Sequence, residues 1–409
     1  MAAASISYAV DPPILSSWYT SNANQYARVV EVTGGQIKTT WPSAGLPNMG
    51  GGQSTQAYSD VQQIRYSANY VYINSNGLAS HIMGPWYINS TTVFGNWPSA
   101  QSYQLKFPRN PTPASGAHTR LGGGNVGLWV NGAGFFNGLD MFSYSTSLAN
   151  DYSTNGPPGN KGDGLWNRSA IAAEVATFDP AYAHQPGNGA YHYHASPKGL
   201  RYQLNDNMTY NSGTNTYSES TGTLHHSPLL GWAFDGYPVY GPYGYSSAMN
   251  SASSIARMRT GYAVRNGTNG TTNLSSTGRH TLPAWAATAY GQPQNLAVNQ
   301  YGPNVTTARP LGWYAEDFDY LGDHSLTQGT DFDLDKYNGR TCVTPEYPSG
   351  TYAYFVAIDA TGAPAYPFTI GAEYYGTVTG GNAVTISESV TTYFIRTTPA
   401  ARVDDWNSY

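Results

Sequence analysis

The chain reads as a mainly β protein, with sandwich-like antiparallel sheets, a few short helices and long loops. Three observations predict this. Short apolar or alternating runs recur along its length. Asn-Gly and Asp-Gly pairs sit between such runs, where tight hairpin turns need them. Segments with helical periodicity are few and short. Two packed sheets are the natural way to bury strands of this kind.

Taken in order, ANYVYINSNGLASH (68–81) predicts a strand that runs into an Asn-Gly turn. VGLWVNGAGFF (126–136) predicts two strands joined at Asn131-Gly132 by a type I′ turn. RSAIAAEVATF (168–178) is the best helix, with Asn167 or Ser169 as its cap. LLGWAFDGYPVYGPYG (229–244) repeats the hairpin device at Asp235-Gly236. SSIARMR (253–259) and LPAWAATAY (282–290) are shorter helix candidates, and residues 265–280 form a polar inserted loop. GTYAYFVAID (350–359) is strand-like, and residues 376–397 add two or three strands at the end.

Composition narrows the function classes. Charged residues make up 11% of the 409 residues, while Tyr numbers 35 and Gly 46. Aromatics at 14% argue against disorder. A net charge of −5 leaves no basic footprint for nucleic acid or anionic lipid. No apolar run is long enough to span a membrane as a helix. The single Cys342 excludes an internal disulfide and reads as a small buried apolar residue. The opening MAAASISYAV lacks the pattern of a signal peptide and fits a mature start with an added Met. Few Lys and abundant uncharged polar residues nevertheless suggest an extracellular or cell-surface protein. The many Asn-x-Ser/Thr triplets follow from that composition and decide little.

The stretch GNGAYHYHASPKGL (187–200) carries the chemistry. Side chains on a strand alternate, so His192 and His194 face one side and Tyr191 and Tyr193 the other. Two such imidazoles can converge on one ion at about 2.0–2.1 Å each. His184 lies eight residues before His192, and a loop through QPGNGA would return it as a third ligand. His226 and Asp235 are further candidates to complete the set. The alternative is a pair of stacked structural histidines. No carboxylate follows at cupin spacing, and no histidine follows Cys342 as blue copper requires, so copper or zinc on imidazoles is the expectation. Tyr191 and Tyr193 would pack in the sheet, or carry electrons beside copper. His81, His118, His280 and His324 read as surface or hydrogen-bonding residues.

An acidic segment, EDFDYLGDHSLTQGTDFDLD (316–335), contains no Lys or Arg. Asp331, Asp333 and Asp335 alternate and would share a face, which suits calcium. The competing reading is a solvated loop paired with Lys336 and Arg340. The spacing is not that of an EF-hand, since Lys336 stands where the turn glycine belongs.

Several motifs together resemble the YHYH family, named for its tetrapeptide. They are GNGAYHYHASPKGL, LLGWAFDGYPVYGPYGY, DLDKYNGRTCVTPEYPSGTYAYFVAID and PAYPFTIG, with YVYINSNGLASHIMGPW and GLWVNGAGFFN upstream. The resemblance spans residues 65–375. The ends fall outside it and are expected as an N-terminal β extension at 1–64 and a C-terminal β extension at 376–409 packed on the same domain. It places Tyr191, His192, Tyr193, His194, Asp235, Asp333, Asp335, Asn338 and Arg340 in signature motifs, and it implies no activity. Three functions remain open: a secreted metalloprotein, hydrolytic or redox if catalytic; a calcium-braced surface protein; or a carbohydrate-binding protein using aromatic platforms, with a polysaccharide or surface partner.

Overall fold

The computed structural model describes residues 13–20, 25–31, 35–41, 52–89, 91–383 and 385–396. The chain is mainly β, with short strands, a few short helices and several sheets. The largest sheet has seven strands. In spatial order they are His192–Tyr193, Gly134–Phe136, Asn125–Trp129, Leu229–Ala233, Pro238–Tyr240, Thr351–Phe355 and Gly339–Cys342. Its pairings are antiparallel except two. His192–Tyr193 runs parallel to Gly134–Phe136, and Pro238–Tyr240 runs parallel to Thr351–Phe355. A second, five-stranded sheet is antiparallel throughout. Its order is Gly381–Asn382, Tyr103–Pro108, Tyr70–Ser75, Val61–Tyr66 and Thr391–Ile395.

The two sheets share one apolar core. Val61, Ile64, Val71, Ile73, Leu105 and Phe107 come from the five-stranded sheet, and Leu128, Trp129, Phe135, Leu230, Trp232 and Tyr354 from the seven-stranded one. Phe107 and Phe234 meet across it, with ring centroids 5.7 Å apart. A smaller core forms around Trp166, Tyr262, Trp285, Tyr314, Tyr366 and Phe368. The YHYH stretch lies where the two adjoin: Tyr191 and Tyr193 pack in the first, and Ala195 packs in the second.

A late strand pairs with an early one. Thr391–Ile395 lies beside Val61–Tyr66, a strand that crosses the expected boundary at residue 64. Much of the N-terminal extension and the last residues lie outside the described residues.

Several local expectations need correction. Both hairpins form, but neither turn is type I′, because Asn131 and Asp235 lack the positive φ that type requires. Instead the N–H of Gly132 (φ +79°) donates to the Trp129 carbonyl, and that of Gly236 (φ +89°) donates to the Ala233 carbonyl. Glycine thus takes the one left-handed position of a three-residue loop. Residues 253–259 are not helical; Ile255–Arg257 is a strand paired with Tyr243–Tyr245. The helix expected over 168–178 runs Ala170–Glu174 and continues as a 3₁₀ turn, Val175–Thr177. Ser169 caps it by accepting from the Ala172 N–H. Residues 284–290 are helical as expected. The polar loop 265–280 is pinned at both ends by the buried Arg265 and Arg279.

Candidate metal site

Three histidines converge at the edge of the seven-stranded sheet. The Pro186–Gly189 turn folds the QPGNGA loop back, so that His184 and His192 exchange backbone hydrogen bonds at 3.2 and 2.9 Å. On its other side His192 pairs with Gly134. A Cβ on Gly134 would stand 2.9 Å from the Cβ of His192, so only glycine lets the two strands approach this closely. His194 follows on the same face. Its Nε2 lies 2.8 Å from that of His192 and 3.4 Å from that of His184.

The remaining ring nitrogens decide what the cluster can do. His192 Nδ1–H donates to the Ala190 carbonyl (2.8 Å), and His194 Nδ1–H donates to the Asn137 carbonyl (2.5 Å). The Thr177 hydroxyl donates to the Glu174 carbonyl, so its oxygen accepts from His184 Nδ1–H at 2.7 Å. With its proton on Nδ1, each ring in its neutral form presents an Nε2 lone pair toward the other two. An outer hydrogen bond to an oxygen is also what orients metal-ligating imidazoles.

Burial favours the neutral form of His184 and His192. All three histidines are no more than 5% exposed. Burial, and then the proximity of His194, push His184 down to about 3 and His192 well below the usual imidazole range. Phe136 stacks on His192 at 3.9 Å, and Phe178 stands edge-on to His184 at 4.7 Å. Among the described residues this is the one group of three or more His, Cys, Asp or Glu placed to hold a metal ion.

A fourth group was not evident in the sequence. Glu174, the last residue of the short helix, brings Oε2 to 3.4 Å from His194 Nε2 and 3.6 Å from His184 Nε2. The side chain is 30% exposed and is the one polar link from the triad to solvent among the groups named here. As the sole acid in a helical segment it carried no signal of its own.

The tyrosines serve the opposite face. Tyr191 donates to Asp179, which also accepts from the N–H groups of Gly84 and Ala183. Asp179 therefore ties the residue before His184 to the residue before His192. Burial raises its pKa to about 7 in spite of these bonds. The Tyr193 hydroxyl meets His81 Nε2 at 2.5 Å, while His81 Nδ1–H donates to the Ile82 carbonyl. His81 is thus buried and hydrogen-bonded, and burial lowers its pKa to about 4.

The sequence matches a family model described as YHYH protein over residues 104–366, more than half of the chain. The chain belongs to the YHYH family. The tetrapeptide that names the family supplies two of the three clustered histidines. Nothing matches among curated proteins or among solved structures. Other residues in the family's motifs hold the fold. Asn338 (φ +64°) donates to the Phe355 and Thr369 carbonyls, and Arg340 donates to the Tyr245 carbonyl. Cys342 is free and buried.

His226 and Asp235 do not join the triad. The hairpin that carries Asp235 lies three and four strands from His192 in the sheet, roughly 14–19 Å at one strand spacing each. Asp235 instead accepts from the Tyr354 hydroxyl and the Gly376 N–H. His226 packs against Tyr240 and Tyr245. The three aspartates of the calcium reading have separate partners. Asp331 accepts from the Thr327 N–H, Asp333 pairs with Arg259, and Asp335 takes the Tyr352 hydroxyl and two backbone N–H groups. Each carboxylate has its own partner, and among the described residues the three are not grouped as a metal-capable cluster. Further up the segment, Asp317 pairs with Arg279 and Asp319 with Arg265, rather than with Lys336 or Arg340.

Proposed function

We propose that this YHYH-family protein binds one transition-metal ion, zinc or copper, through His184, His192 and His194. One observation carries the reading: three Nε2 lone pairs meet at a point while every Nδ1 proton is already engaged. Two such lone pairs 2.8 Å apart repel unless a cation stands between them. Neutral imidazole is the commonest protein ligand for these metals. The low charge content supports placing the protein outside the cell.

The test is elemental analysis of protein purified without tag or chelator, beside the His192→Ala/His194→Ala variant. About one zinc or copper per chain in the wild type, absent from a folded variant, is the expected result. Equal metal content in both rejects the assignment.

A further inference from the structure

We propose that Glu174 is the fourth ligand, so that the site is a closed, four-donor zinc site with no position left for water. This rests on the triad as a metal site and goes beyond it by fixing the coordination and the metal.

Distances separate a ligand from a nearby base. Four donors at about 2.05 Å around a tetrahedral ion stand roughly 3.3 Å from one another. Glu174 Oε2 lies 3.4 and 3.6 Å from two of the imidazole nitrogens, and those two lie 3.4 Å from each other. These three separations match edges of one coordination sphere, which metal binding would complete by drawing Glu174 and His192 onto the same ion. A carboxylate acting through a metal-bound water would sit a further hydrogen bond, about 2.7 Å, beyond that sphere.

The same residue is tied into the site twice. Its carboxylate meets two histidines, and its backbone carbonyl accepts the Thr177 hydroxyl that holds His184 Nδ1. The helix that places it is fixed by the Ser169 cap. Chemistry then selects the metal. Zinc accepts carboxylate with imidazole, and its structural sites fill all four positions with protein ligands. Copper(I) favours soft donors, to which a carboxylate adds little. Three neutral rings and one anion also leave a bound divalent ion with a net charge of one, easing its burial.

The experiment uses the full chain loaded with Co²⁺ in place of zinc, with azide as the probe for an open position. The wild type should show the strong visible absorption of tetrahedral Co²⁺, unchanged by azide. Glu174→Ala should become azide-sensitive, and Glu174→Gln should lose zinc affinity by roughly 100-fold or more, at least the loss seen for outer-shell partners. Copper(I) affinity should change little in either variant. Far-UV circular dichroism checks that both remain folded. Azide binding to the wild type, or unchanged zinc affinity in folded Glu174→Gln, overturns the fourth ligand and leaves the triad standing. A wild type that takes up neither Co²⁺ nor Zn²⁺ overturns both.

Discussion

His192 and His194 bring their Nε2 atoms within 2.8 Å of each other, while each Nδ1–H donates to a backbone carbonyl. A metal ion held by both nitrogens would tie this sheet edge together. Metal should raise the melting temperature strongly, since a ligand bound only by the folded state adds about 2.7 kcal/mol at a hundred times Kd. Chelator should reverse the shift. In His192→Ala both additions should leave melting unchanged, as differential scanning calorimetry would show.

The tautomers can be read directly. Nitrogen-15 spectra of the apo protein should show His184 and His192 as neutral rings protonated at Nδ1, persisting below pH 5. Unfolded imidazoles take a proton near 6.5. The stability these two contribute is thus full above about 6.5 and declines as pH falls toward 3, where His184 titrates in the fold. Rings that titrate near 6.5 in the folded apo protein would contradict this.

Asp179 should act on the metal site from behind. Asp179→Ala strands the Tyr191 hydroxyl and two backbone N–H groups, at a cost of about 3 kcal/mol. It should also weaken metal binding by about 10–100-fold, as lost outer supports do. Asp179→Asn should cost about 1 kcal/mol. Its pH profile should differ in a defined direction. The folded carboxyl keeps its proton to about pH 7, whereas the unfolded one releases it near 3.9. Wild type should therefore lose stability relative to the Asn variant as pH rises from about 4 to 7. Denaturant melts across that range measure the difference, and parallel curves would refute the assignment.

Gly134→Ala should push the His192 strand away, because the new Cβ would stand 2.9 Å from the Cβ of His192. A destabilisation of about 1–3 kcal/mol is expected, together with weaker metal binding. Normal affinity in a stable variant would show that the sheet edge yields without disturbing the ligands.

Calcium should have no effect on melting once the zinc content is held fixed, since the three aspartates have separate partners. Asp331→Ala should cost about 0.5 kcal/mol or less, as its exposed side chain accepts from one local N–H. Asp335→Ala should cost about 3 kcal/mol, as it leaves a tyrosine hydroxyl and two N–H groups without their acceptor. Similar losses at the two positions, or a calcium-induced rise in melting temperature, would restore the sequence-based expectation.

Local spacing made part of this legible. The alternation of His192 and His194, the glycine-rich return from His184, and the two hairpins all follow from neighbouring residues. What required distant information was missed. Strand order places the hairpin of Asp235 inside the sheet, and nothing near Asp235 reveals that. The crowded acids seemed to lack counter-charges because Arg259, Arg265 and Arg279 come from segments 38 to 74 positions earlier in the chain. The strand at Ile255–Arg257 is too short for its periodicity to separate it from a helix. Glu174 lies ten residues before His184, on a helix whose direction toward the triad is set only by tertiary packing.

The tetrapeptide divides its labour by face. Tyr191 and Tyr193 anchor it in the larger core, while on the other face His192 meets His194 and His194 meets Glu174. Folding and the proposed metal capture are therefore separable in this motif. A relative that kept both tyrosines and the glycine opposite, yet replaced the histidines, would retain the architecture with the ion abandoned. Such a sequence could be sorted from its metal-carrying cousins by reading alternate letters of four.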